Sequence, residues 1–131
     1  MKSFQLLVAS VLFSLMVSCQ SSDNKNGVRI SPEIFNDSIS NNETQIIDVR
    51  TPKEFKLYHI EGAENINYYS EKFADSVRLL NPKKAVFLYC RSGKRSSESV
   101  TVFKELGFKN IYDLEGGIIN WTKEGYKVIS N

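Results

Sequence analysis

Apolar residues in this chain fall into short blocks, and from Val28 onward each block is followed by a stretch with helical spacing. Val28-Arg29-Ile30 reads as a short strand, and Ser31-Pro32-Glu33 opens a helix with Ser31 as cap and Pro32 in its first turn. Gln45 to Val49 is rich in β-branched residues and predicts a buried strand. Thr51-Pro52-Lys53-Glu54 then carries two start signals at once. Thr51 can cap, Glu54 can reach back to close a capping box, and a short helix through Tyr58 follows. Gly62 to Ile66 predicts a turn and a short strand. Ser70 to Leu80 predicts a helix with Phe73, Val77 and Leu80 on one face, stopped by Asn81-Pro82. Ala85 to Tyr89 is the most apolar strand candidate after the N-terminus and belongs in the middle of a sheet. Ser96 to Leu106 predicts a helix with Val100, Phe103 and Leu106 facing inward and Gly107 just past its end. A strand over Asn110 to Leu114, a turn at Gly116-Gly117 and a last helix from Ile118 to Glu124 complete the pattern. Strands alternating with helices point to an α/β fold with a parallel sheet.

The N-terminus breaks this rhythm. Met1-Lys2-Ser3 is a short, positively charged start, and Phe4 to Val17 is apolar apart from Gln5, Ser10 and Ser14. The stretch is shorter than the roughly 20 residues needed to span a bilayer and reads as the core of an export signal. It ends in Leu15-Met16-Val17-Ser18-Cys19, which resembles the lipobox of bacterial lipoproteins. That resemblance implies cleavage after Ser18, lipid on Cys19, and a protein held to a membrane of the bacterial cell envelope outside the cytoplasm. Gln20 to Gly27 is polar and suits a tether. The expected organisation is therefore a signal peptide over 1–18, a tether over 19–27 and one folded domain over 28–131.

At 131 residues the chain has room for one domain. Its net charge of +2 is too small for a nucleic-acid binder. Of two cysteines, Cys19 would go to lipid, which leaves Cys90 as a lone thiol with no internal disulfide to form. No cluster of His, Cys and carboxylates has ligand spacing, so neither a metal nor another cofactor is expected.

The chemistry concentrates in Cys90-Arg91-Ser92-Gly93-Lys94-Arg95-Ser96. This loop leaves a buried strand and enters a helix, at the carboxyl end of a parallel sheet where ligands gather. Backbone N–H groups at such a turn form an anion cradle, Gly93 permits the curvature, and Arg91, Lys94 and Arg95 add positive charge. The same surroundings favour a thiolate, so Cys90 is the expected nucleophile for an anionic substrate. Without that loop, a lone cysteine ending a buried strand would read as a small core residue. The reactive reading requires a sulfur that solvent can reach.

The chain clearly resembles the rhodanese family. The likeness rests on Ile47-Asp48-Val49-Arg50, Glu54-Phe55, His59-Ile60-Glu61-Gly62-Ala63-Glu64-Asn65-Ile66, the Cys90 loop, Leu106-Gly107-Phe108, and Leu114-Glu115-Gly116-Gly117 with Trp121. It implies a rhodanese-like three-layer fold with a five-stranded parallel sheet flanked by helices. It also implies a sulfurtransferase: Cys90 takes the outer sulfur of thiosulfate or a persulfide donor, and a thiol or cyanide then accepts it. The loop from Arg91 through Ser92, Gly93, Lys94 and Arg95 to Ser96 would bind the donor and the persulfide. The alternatives are a sulfur carrier without turnover and a partner-binding module. Related phosphatases place five residues between cysteine and arginine, whereas Cys90 and Arg95 are separated by four. His59, Asp48, Arg50 and Trp121 are read as structural.

Overall fold

The computed structural model describes Gly27–Asn131 except Asn42. The expected signal peptide, and the tether with Cys19 up to residue 26, lie outside the described residues.

Five strands form one parallel sheet in the order β1-β5-β4-β2-β3, comprising β1 (Val28–Ile30), β2 (Gln45–Asp48), β3 (Glu64–Asn65), β4 (Val86–Tyr89) and β5 (Ile111–Leu114). The helices are α1 (Pro32–Ile39), α2 (Pro52–Leu57), α3 (Phe73–Val77), α4 (Lys94–Glu105) and α5 (Gly117–Lys123). This is the expected α/β architecture.

The period of two along β4 sorts the core into two layers. Val86, Leu88 and Cys90 join Val77 of α3 and Val100 and Phe103 of α4 on one face. Phe87 and Tyr89 join Phe35 of α1 and Ile118 and Trp121 of α5 on the other. Cys90 continues the strand's alternation, so its side chain points to the α3–α4 side. Trp121 packs edge-on against Phe35 and gives its indole N–H to the Lys127 carbonyl at 2.9 Å, a packing role as expected.

Two helix boundaries differ from the sequence pattern. The Ser70–Leu80 stretch keeps only Phe73–Val77 as α-helix, starting after Lys72, which supplies no side-chain cap, while Ser70 and Asn67 spend their side chains on local turns. In contrast α4 begins at Lys94, two residues before Ser96, because Gly93 adopts φ of +102° and turns the chain straight into helix.

Candidate active site

The chain leaves β2 towards β3 on one side and β4 towards β5 on the other. A crevice therefore opens between the carboxyl ends of β2 and β4, the place where parallel sheets bind ligands. Cys90 follows β4 into this crevice.

The loop is fixed from below by α5. The carbonyls of Cys90 and Arg91 accept from the N–H groups of Ile118 at 2.9 Å and Ile119 at 3.2 Å. A trans peptide points its N–H opposite to its C=O, so these bonds aim the Arg91 and Ser92 amides away from α5. That is the side on which the sulfur lies. Only glycine fits at Gly117, where a Cβ would stand 2.4 Å from the Arg91 carbonyl oxygen. Above, the Gly93 N–H donates to Cys90 Sγ at 3.1 Å, and the buried Ser96 hydroxyl lies 3.5 Å from the same sulfur.

The exposure of Cys90 departs from expectation. It is 1% exposed and contributes to the core beside Val49, Leu88 and Val100, so the sulfur is not presented to solvent in this closed loop. The two readings of the cysteine, core residue and loop-cradled thiol, describe the same atom. Arg91, Ser92 and Lys94 are exposed and form a rim above it, whereas Gly93 and Ser96 are buried.

The three loop cations separate into two groups. Arg95 is engaged by Glu54 of α2 through two hydrogen bonds of 2.7 and 2.8 Å, with its guanidinium 5.5 Å from the centre of the Tyr69 ring. Its partner keeps its charge accordingly. The hydrogen bond from Arg95, with help from Thr51, lowers the Glu54 carboxyl to about 2. The Arg95 guanidinium is in turn raised, chiefly by its hydrogen bond to Glu54, and the Cys90 side chain adds to this. Arg91 and Lys94 show no ion pair among the described residues.

Asp48 and Arg50 brace the crevice floor. Both are buried, and Arg50 Nη2 reaches Asp48 at 2.6 Å and the Tyr58 carbonyl at 2.7 Å. Burial works against the Arg50 charge, but the Asp48 hydrogen bonds and charge prevail and raise its pKa. Asn65 ties the same segment to β3 through the carbonyls of Asp48 and Arg50. His59 stacks on Phe55 at 3.8 Å, its Nδ1 sits 2.9 Å from the Phe55 carbonyl, and its backbone pairs with Ile129. These contacts match the structural roles expected for all three residues.

A parallel α/β sheet whose central strand delivers a cysteine into a glycine-turned, cation-rimmed loop defines a class of thiol-loop domains. The chain belongs to the rhodanese-like domain family, whose model matches residues 31–124. It is 31% identical over 113 residues to a probable adenylyltransferase/sulfurtransferase MoeZ of Mycobacterium tuberculosis, covering 86% of this chain and 29% of that protein. It is 30% identical over 104 residues to a tRNA uridine(34) hydroxylase of Pelagibacter ubique, covering 79% of this chain and 35% of the relative. The chain thus spans about a third of the length of these curated relatives. Among solved structures, the polysulfide-sulfur transferase homodimer of Wolinella succinogenes superposes with a TM-score of 0.68 at 27% identity, covering 81% of this chain and 80% of that one.

Proposed function

We propose that this protein is a sulfurtransferase that moves a sulfane sulfur from thiosulfate, or a persulfide donor, to a thiol or cyanide acceptor through a Cys90 persulfide. The observation that carries the reading is the Gly93 N–H on Cys90 Sγ at 3.1 Å. Such a preorganised donor stabilises negative charge on the sulfur and, after transfer, on the persulfide. The sulfur-transferring relatives support the same chemistry, and the hydroxylase relatives are the reason for testing activity directly.

In the first half-reaction the Cys90 thiolate attacks the outer sulfur of thiosulfate. A new S–S bond forms, the donor's S–S bond breaks, and sulfite leaves with the electron pair. In the second, cyanide or a thiolate attacks the terminal sulfur and the Cys90 thiolate leaves. No general base is needed, because a thiolate attacks unaided, and His59 is engaged by Phe55 and Ile129. Arg91 and Lys94 on the rim attract the anionic donor, and the buried sulfur must be uncovered before the donor reaches it.

The burial of Cys90 favours one further reading, a sulfur carrier whose loop opens only for a partner protein. The thiosulfate–cyanide reaction, followed as thiocyanate with Cys90→Ser as control, separates the two. Turnover that vanishes in the variant supports the enzyme. A wild-type Cys90 persulfide seen by mass spectrometry without turnover supports the carrier, and neither signal overturns both.

We place the protein in the bacterial cell envelope, anchored through lipid on Cys19, because an apolar segment with a basic start ends in Val17-Ser18-Cys19. Incorporation of labelled fatty acid that persists in Cys19→Ala would refute the anchor.

A further inference from the structure

Arg29 lies on edge strand β1, far in sequence from the cysteine loop, yet its side chain reaches that loop. It is 51% exposed and pairs across the sheet with Asp113 of β5, which is 1% exposed, at 3.1 Å. The same Nη2 contacts the Ser97 hydroxyl and lies 3.4 Å from the Gly93 carbonyl oxygen. Ser97, in the first turn of α4, donates its hydroxyl hydrogen bond to Asp113 Oδ2 at 2.9 Å. The second carboxylate oxygen, Oδ1, is buried and has no hydrogen-bond partner among the described residues.

Two features of this cluster bear on the sulfur. Gly93 is held on both sides, at the N–H of the Ser92–Gly93 peptide and at the C=O of the Gly93–Lys94 peptide. Its N–H lies on Cys90 Sγ, and its C=O receives Arg29, the Ser96 hydroxyl at 3.2 Å and the Ser97 N–H at 3.2 Å. Glycine has no Cβ to stiffen its φ and ψ, so loosening the Gly93–Lys94 peptide lets the Gly93 turn drift and weakens the hold of the neighbouring N–H on the sulfur. The second feature is charge. Asp113 is a buried carboxylate set against the first turn of α4, where an anion opposes negative charge on Cys90 unless a cation answers it. Glu54 is matched by Arg95, and Arg91 and Lys94 stand on the rim, so the cation facing Asp113 is Arg29.

We infer that Arg29 is a positioning residue of the sulfur-transfer site, which steadies the Gly93 turn beside the Cys90 sulfur and offsets the buried Asp113 charge behind it. This rests on the reading of Cys90 as the sulfur-carrying residue.

The test uses the purified full chain with Arg29→Lys, Arg29→Ala and the double variant Arg29→Ala/Asp113→Asn. Three quantities are measured at neutral pH: alkylation of Cys90 by iodoacetamide, single-turnover persulfide formation from thiosulfate, and steady-state kcat and KM. Iodoacetamide is uncharged, so its rate reports the ionisation and accessibility of the sulfur and not attraction of an anion to the rim. Arg29→Ala is expected to slow alkylation and persulfide formation about tenfold while KM for thiosulfate stays within about twofold. Arg29→Lys, which keeps the charge, recovers most of the loss, and Asp113→Asn in the alanine background recovers the part caused by the buried charge.

A folded Arg29→Ala protein with wild-type alkylation overturns the inference. So does a loss confined to KM, which would make Arg29 a donor-binding residue. Should Arg29→Ala fail to fold, the lysine and double variants decide by the same rates. If the wild type forms no persulfide while its alkylation still depends on Arg29, the sulfur-transfer reading fails and the role of Arg29 in positioning the thiol stands.

Discussion

Glu54 grips Arg95 with both carboxylate oxygens, at 2.7 and 2.8 Å, while one of those oxygens also accepts the Thr51 N–H at 3.0 Å. One side chain thus closes the capping box of α2 and fastens α2 to the first turn of α4. Arg95 is thereby tied across the crevice, and among the described residues the loop cations without an ion pair are Arg91 and Lys94. Loop anchoring thus falls to Arg95, while the proposed donor binding is left to Arg91 and Lys94.

The Glu54–Arg95 pair makes stability depend on pH in the acid range. Its carboxyl is lowered from the ordinary value of 4.5 to about 2, so the pair's contribution is complete above about 4.5 and is lost as pH falls towards 2. Glu54→Gln keeps the cap, since glutamine serves at that position, but loses the ion pair. We expect a deficit of about 1 kcal/mol at neutral pH, modest because the pair is partly exposed. That deficit shrinks between pH 4.5 and about 2, as denaturant titrations at several pH values would show.

Arg91→Ala and Lys94→Ala should each raise KM for thiosulfate by roughly three- to tenfold and alter kcat less, since an exposed cation acts on encounter and donor binding. Added salt should narrow the difference from wild type, because screening weakens surface charges over about 10 Å. Steady-state kinetics at low and high ionic strength measure both effects. A change wholly in kcat would place these side chains elsewhere in the reaction.

Gly117→Ala should be among the most damaging single changes in the chain. The new Cβ would stand 2.4 Å from the Arg91 carbonyl oxygen and 2.7 Å from that of Cys90, at a φ of +63°. Either the helix moves or the loop peptides turn. We expect a loss of about 2–4 kcal/mol in denaturant unfolding. Sulfur transfer should fall further than stability alone accounts for, because the same carbonyls orient the Arg91 and Ser92 amides. Wild-type kcat in a folded Gly117→Ala protein would contradict the clamp.

Local rules read well from the sequence. The cap at Ser31 and the capping box of Thr51 and Glu54 form as expected, because the partners sit three residues apart. The strands hold as well, since alternation and β-branching act along the strand itself. The Ser70–Leu80 helix shrank to Phe73–Val77 because its early polar residues found turn partners that periodicity does not register. Arg29 gave no signal at all. Its neighbours Asp113 and Gly93 lie 84 and 64 residues away, and one arginine in a short strand looks like any surface charge.

What the sequence determined by itself was the chemistry on offer: a cysteine leaving an apolar strand, a glycine to turn the chain, and cations beside it. These are relations within a few residues, where backbone stereochemistry alone sets the outcome. Tertiary structure decided which of those groups are free. It buried Cys90 to 1% exposure, handed Arg95 to a carboxylate 41 residues away, and brought Arg29 from the far edge of the sheet to the Gly93 carbonyl. Such assignments follow from the order of the strands, and strand order is fixed by the packing of two core layers that no local window of sequence contains.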